Sequence, residues 1–491
     1  MIKGNLEKPR VMNVIKDIGI VEGWIASDSK LKGIDLSLDE KLIAHPEYGI
    51  ERKDVYRDNP YIEGSGQSGF RHFLKTIDIP DGKHLLEIRG TNIANEAIWF
   101  KGEVVVDNAS LNISDRNRLR LFENYSEKKT ILDNMPVHLF IEPSNLCNLE
   151  CVMCRSKEYI DLLKGGQKIG TMNWDVFERI EHLFPNIVHF KIAGWGEPYT
   201  NYRFPEMISR IRKYNKEAQI GFNTNAVLLN EERIINLIEN RVSSITVSID
   251  SPYRENYEMI RKKASYDRLI NNLQMILELK EKYSSEYPRM GFEYVVMNQN
   301  VLDMPEFVKF AARFRVPSVI FVNVGFIYSK FEHVRFTEHG KYLDTYKRTK
   351  EYAGKLGVML TGNAIESFEA ALNNEQDTNQ VSKKEIRENP GSLSRHTEGM
   401  TGNSKSSEIL CMEPFQTSYI CFDGNILPCC VVGGQKYIGN VLDNNFEDIW
   451  NNDIYVSLRE DFIEGNFNES SFCKRCRVCL QDSLRKQEYG F

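Results

Sequence analysis

Long stretches of this chain hold no cysteine: none precedes Cys147 and none falls between Cys154 and Cys411. All ten cysteines sit in four groups, 147/151/154, 411/421, 429/430 and 473/476/479. Scattered buried thiols would not cluster this way, and structural disulfides are unexpected in a cytosolic chain of this size. Ligation of a metal or cluster explains the pattern. Apolar runs long enough to span a bilayer are also missing, and Met1–Arg10 is too polar for a signal sequence. A cytoplasmic protein without a membrane span is expected. An excess of positive charge is missing too, since 63 Lys and Arg face 69 Asp and Glu for a net charge of −6. That argues against a nucleic-acid or anionic-membrane surface and leaves small molecules or proteins as partners. No internal repeat is evident.

At 491 residues the chain is long enough for about three domains. Residues 1–108 read as short strands with alternating apolar and polar positions, punctuated by turn formers such as Pro80-Asp-Gly82, which predicts an all-β sandwich. Residues 109–135 carry many charges and no strand pattern, as a linker with one helix would. From 136 to 361 strands at 137–142, 188–192, 220–223, 244–249, 291–297 and 318–324 alternate with amphipathic helices, so an α/β fold with a parallel βα barrel or open sheet is expected. Residues 362–405 are polar and read as a linker. The remaining seven cysteines lie in a small C-terminal segment, 406–491.

Each unusual polar or glycine-rich group falls just after a predicted strand. The three cysteines follow the first, Gly194-Trp-Gly-Glu-Pro198 the second, and Asn225 closes the third. Ser248 and Asp250 follow the fourth, and Asn298 and Asn300 the fifth. In βα barrels these positions share the C-terminal rim, where active sites are built. Three closely spaced thiolates suit three irons of a cubic cluster and leave the fourth iron open to a small molecule. A zinc site would want a fourth Cys or His nearby, and none lies close by.

The stretch Cys147-x3-Cys151-x2-Cys154 resembles the signature of the radical S-adenosylmethionine (SAM) enzymes, with Met153 at a position often aromatic in that family. The resemblance implies a partial (β/α)6 radical SAM barrel, flanked here by the N-terminal all-β sandwich and the small C-terminal Cys-rich cluster domain. It also implies a [4Fe–4S] cluster on Cys147, Cys151 and Cys154 whose open iron chelates SAM. Gly194, Gly196 and Glu197 match the motif that grips the SAM ammonium, while Ser248 and Arg261 match positions that bind its ribose or carboxylate. Asn225, Asn298 and Asn300 are further candidates. The implied chemistry is reductive cleavage of SAM to a 5′-deoxyadenosyl radical that abstracts hydrogen from a C–H bond, with flavodoxin or ferredoxin as electron donor.

The segment from Cys411 through Cys429-Cys430 to Cys473-x2-Cys476-x2-Cys479 looks like the SPASM/twitch domain of the same family. One auxiliary [4Fe–4S] cluster is implied, held by Cys411, Cys429, Cys473 and Cys476. Cys430 is an alternative to Cys429 and Cys479 to Cys476, and zinc is an alternative occupant. Such a cluster is expected to take an electron from the product radical, and oxidation or epimerisation is the expected outcome. Residues 1–108 look like an accessory β-domain attached to glycosyltransferases, through Gly23-Trp24, Ser68-Gly-Phe70 and Pro80-Asp-Gly-Lys-His84. The expected substrate is therefore a sugar or glycoconjugate. A ribosomal peptide is the alternative substrate, and a non-catalytic iron–sulfur electron carrier the alternative class.

Overall fold

The computed structural model describes residues 2–9, 14–62, 64–154, 169–324, 336–373, 411–429 and 437–464. These form two compact units, one ending at Met135 and the other beginning at Pro136.

The first unit holds β1 (Ile2–Lys8), β2 (Val14–Ile15), β3 (Ile18–Ser27), β4 (Leu31–Leu38), β5 (Lys41–Ala44), β6 (Glu47–Ile50), β7 (Gly69–Lys75), β8 (Gly82–Asn92) and β9 (Ala97–Val106). They form a four-stranded sheet, β1-β3-β7-β6, and a five-stranded sheet, β2-β9-β8-β4-β5. Alternation sends Val21, Ile25, Phe70 and Leu74 of the first sheet and Ile34, Leu36, Leu86, Ile88 and Val104 of the second into one buried cluster. Two sheets over one core make the expected β-sandwich. A helix, Ile113–Ser126, follows. It opens on a capping box in which the Asn112 side chain and the Asp115 backbone and carboxylate satisfy each other.

The second unit is built on one ten-stranded sheet. Its strands are β10 (His138–Ile141), β12 (His189–Ile192), β13 (Gln219–Thr224), β14 (Ser244–Ser248), β16 (Arg289–Val296), β17 (Ser318–Asn323), β18 (Met359–Thr361), β19 (Thr417–Ile420), β20 (Asn425–Leu427) and β21 (Gly439–Asn440). The order is β18-β17-β16-β14-β13-β12-β10-β19-β20-β21, parallel from β18 to β19. The six expected strands are β10, β12, β13, β14, β16 and β17, and the sheet curls as a partial barrel. A separate two-stranded ribbon joins β11 (Glu150–Cys151) to β15 (Arg261–Lys262).

Two features depart from the sequence reading. Strand β19, from the Cys-rich segment, pairs in parallel with β10 and so continues the barrel sheet. The stretch expected to open a polar linker at 362 instead starts with a helix over 363–373. Ala364 and Phe368 of that helix are buried, and the Phe368 ring stacks on Tyr346 at 4.9 Å. Two apolar anchors one turn apart suffice to dock a short helix, but they are too sparse to stand out among polar neighbours.

Alternation divides the barrel strands into two faces. Leu139, Ile141, Phe190, Ile192, Ile220, Phe222, Ile245, Val247, Phe292 and Tyr294 are all buried on the outer face. The intervening residues, among them Phe140, Lys191, Asn223, Thr246, Ser248 and Glu293, are half-buried on the inner face.

Candidate active site

The chain leaves β10 at Ile141 and turns into the cysteine loop through Glu142, Pro143 and Ser144. Asn145 anchors the turn: its Oδ1 accepts from Gly170 N at 2.8 Å and its N donates to Gly170 O at 3.2 Å. Beyond Cys147 the loop is held from the other side by the β11–β15 ribbon and by Val152 N donating to Ile260 O at 2.9 Å. Cys151 therefore lies beside Arg261 across the ribbon.

The Gly194–Pro198 loop presses on the same turn. A Cβ at Gly196 would lie 2.1 Å from Leu146 O, and one at Gly194 would lie 2.3 Å from Glu142 Cγ. Only glycine fits either position. Glu197 N donates to Leu146 O at 2.7 Å, and Thr200 Oγ1 donates to Ser144 Oγ at 2.8 Å.

Glu197 is buried, and its oxygens accept from Thr224 Oγ1 and Asn225 N, both at 2.8 Å. Burial raises its pKa to about 7 against the pull of those hydrogen bonds. The resemblance implies a direct grip on the SAM ammonium. In the structure Glu197 also ties the end of β13 to the glycine loop through these two bonds. Asn225, fixed by that tie, points its Nδ2 at the Cys147 sulfur from 3.9 Å.

Glu142, not among the candidates named above, joins three segments. Its Oε1 accepts from Trp195 N at 3.0 Å and its Oε2 from Phe422 N at 3.3 Å. It thus binds the glycine loop and the turn after β19 to the start of the cysteine loop. The only signal in the sequence was a carboxylate directly after an apolar strand.

The cysteine sulfurs face donors. Cys147 Sγ accepts from Leu149 N at 3.4 Å, and Arg261 Nη1 lies 3.9 Å from Cys151 Sγ. Burial pushes the Cys151 thiol up to about 12 and raises Cys147 as well, with Arg261 opposing in both cases. A buried thiolate needs a compensating cation, and iron supplies one. Beside Cys151 lie three buried polar atoms without an aligned hydrogen-bond partner among the described residues: Arg261 Nε, Asp250 Oδ2 and Tyr257 Oη. Arg261 Nε and Asp250 Oδ2 are 2.7 Å apart, an ion pair by distance but poorly directed as a hydrogen bond. Such orphaned groups suit a polar, charged ligand. Among the described residues no three Cys, His, Asp or Glu side chains converge on a single metal ion. A cluster with one iron per thiolate requires no such convergence, and the donor set fits it.

Ser248 closes β14 on the inner face, in register with Glu293 of β16. Asn300 is buried and donates to Asp250 O and Val295 O, both at 2.9 Å, so it holds the backbone of the Asp250 turn. Of the proposed auxiliary ligands, Cys411 is half-buried and Cys429 buried, while Cys473 and Cys476 lie outside the described residues, as do Cys430 and Cys479.

A parallel half barrel with three free thiols on the loop after its first strand has the donor set for an iron–sulfur cluster. In direct comparison, residues 141–311 match the radical SAM superfamily model and residues 411–477 match the model of the SPASM iron–sulfur cluster-binding domain. It is 25% identical over 191 residues to the tungsten-containing aldehyde ferredoxin oxidoreductase cofactor-modifying protein of Pyrococcus furiosus, over 38% of this chain and 51% of that one. It is 34% identical over 87 residues to the S-adenosyl-L-methionine-dependent 2-deoxy-scyllo-inosamine dehydrogenase of Niallia circulans, over 18% of this chain and 35% of that one. The chain thus spans about half or less of these relatives. Among solved structures it is similar to Streptococcus suis SuiB bound to precursor peptide SuiA, with 15% identity, 74% of each chain covered and a TM-score of 0.49. The two domains imply a SAM-binding [4Fe–4S] cluster, an auxiliary cluster and SAM as cofactors. No helix among the described residues is long and apolar enough to cross a membrane.

Proposed function

We propose that this chain uses SAM to remove hydrogen from a C–H bond of a sugar or glycoconjugate, with net oxidation as the outcome. The observation that carries the reading is the surround of Cys151, where the buried Arg261–Asp250 ion pair is poorly directed as a hydrogen bond and Tyr257 Oη has no hydrogen-bond partner among the described residues, beside three free thiols. Cys147, Cys151 and Cys154 would hold the cluster, and Arg261 would face the SAM carboxylate, which its fork matches. Bound there, cluster and SAM supply one-electron chemistry ending in hydrogen abstraction.

The protein's own part is positioning. Glu142 and Glu197 hold the glycine loop and Asn225 against the cysteine loop, so that donors face the sulfurs before any ligand binds. Ser248 and Asn225 line the rim where the SAM ribose would lie. Cys411 and Cys429, with Cys473 and Cys476, would hold the auxiliary cluster, and flavodoxin or ferredoxin would deliver electrons. The sugar assignment draws on the inosamine dehydrogenase relative and on the β-sandwich unit.

The test is an anaerobic assay of the reconstituted enzyme with 2-deoxy-scyllo-inosamine and a panel of nucleotide sugars, read by mass spectrometry in D2O. Loss of a hydrogen pair from a sugar supports oxidation. Incorporation of solvent deuterium without net loss replaces oxidation by epimerisation, and turnover of a ribosomal peptide alone overturns the sugar assignment.

A further inference from the structure

The inner face of the barrel carries a polar row that the handling of SAM does not use. Lys191 of β12 donates through Nζ to Asn223 Oδ1 on β13 at 2.6 Å, and Asn223 Nδ2 reaches Glu293 Oε2 on β16 at 3.4 Å. Hydrogen bonding places all three on one face, opposite the buried Phe190, Phe222 and Phe292. Register extends the row. Phe140 of β10 pairs with Lys191, while Ser248 of β14, assigned above to SAM, pairs with Glu293 and marks the end of the row. Phe140 is half-buried, and its ring stacks on Tyr419 at 5.9 Å with 19° between planes.

A lysine and a glutamate facing inward from a barrel wall have no part in apolar packing, and desolvating such groups is costly unless polar partners satisfy them. Among the described residues the Glu293 carboxylate receives one hydrogen bond, the long one from Asn223, although a carboxylate can accept several. Burial raises its pKa, with Arg261 and Lys191 opposing, so it sits in a poorly solvated space and senses the groups beside Cys151. Acceptor capacity at Glu293, a donor at Lys191, both at Asn223 and a half-open aromatic ring beside them match a ring that bears several hydroxyls around a C–H face.

We propose that Lys191, Asn223 and Glu293, with Phe140, anchor the substrate, and that they take a cyclic polyol: a sugar or cyclitol whose hydroxyls bond along the row. The inference rests on the reading above and adds the residues that would confer it. An extended peptide lacks the clustered hydroxyl donors that the row would satisfy.

The test is anaerobic titration calorimetry of the reconstituted full chain with SAM, using myo-inositol, glucosamine and open-chain sorbitol as probes. Wild type should bind a cyclic probe more tightly than sorbitol. Glu293→Gln, which loses a charge-assisted acceptor, should weaken that binding roughly tenfold. Phe140→Leu, which keeps bulk and removes the π-face, should weaken it roughly fivefold. Iron content and circular dichroism on the same samples show that each variant has folded and loaded, and Lys191→Met against Lys191→Arg provides a second pair. Cyclic probes bound equally by wild type and all variants overturn the anchor and leave the sugar reading standing. Failure of every cyclic probe to bind wild type overturns both, while 5′-deoxyadenosine formation in the same preparation reports on the radical chemistry alone.

Discussion

The barrel sheet has two faces made from the same strands in the same register, and they follow different rules. The outer face sets Ile141, Ile192, Phe222, Val247 and Val296 in buried, apolar packing. One residue away, the inner face offers Phe140, Lys191, Asn223, Ser248 and Val295, all half-buried. Outer positions answer to volume, because packed interiors tolerate little change in it. Inner positions answer to ligands and tolerate polar groups that the outer face would expel. The strands thus carry stability on one side and chemistry on the other, and the cysteine loop joins them at the rim.

Substitutions can break or sharpen this division. The largest effect is expected at the rim, where Cys151→Ala should reduce 5′-deoxyadenosine to background and lower bound iron by about four per chain. Substantial residual 5′-deoxyadenosine from that variant would remove Cys151 from the ligand set. On the outer face, Phe222 is fully buried against Tyr199 and Phe204, with ring centroids at 6.0 and 5.1 Å. Phe222→Ala should cost about 3–5 kcal/mol in denaturant unfolding, and a loss below about 1 kcal/mol would contradict the assignment of this face to packing. Glu142→Gln turns one hydrogen-bond acceptor into a donor facing either Trp195 N or Phe422 N. It should cost about 1–3 kcal/mol, with the iron of whatever protein folds unchanged. The smallest effect is expected at Ser248→Ala, within about 0.5 kcal/mol of wild-type stability but with SAM bound several-fold more weakly. A large stability loss with unchanged SAM binding would move Ser248 to the packing side.

The features legible in the sequence were those with local signatures. The cysteine spacing marked the loop, and alternation marked the strands of both units, since each rests on residues a few positions apart. What escaped notice depends on pairing across long separations. Strand β19 joins β10 from 279 residues away, counting from Leu139 to its partner Ser418 (418 − 139), a span no periodicity reveals. Lys191 and Glu293 looked like ordinary polar positions on alternating strands, because the sequence does not say which face is sealed by helices. The glycines of the 194–198 loop were read as part of a motif that grips SAM, and their absent Cβ atoms also make room for Glu142 and Leu146. The motif was visible, but the identity of its neighbour was not.

The central claim is that the rim holds a redox cluster with SAM beside it, and it is tested most directly by anaerobic reconstitution with iron and sulfide, iron quantitation, and assay of 5′-deoxyadenosine after dithionite reduction. The account predicts about eight irons per chain, as two [4Fe–4S] clusters require, together with 5′-deoxyadenosine that disappears in Cys151→Ala. A full iron complement that yields no 5′-deoxyadenosine, with or without a cyclic polyol present, would contradict it and favour an electron carrier built on the same barrel.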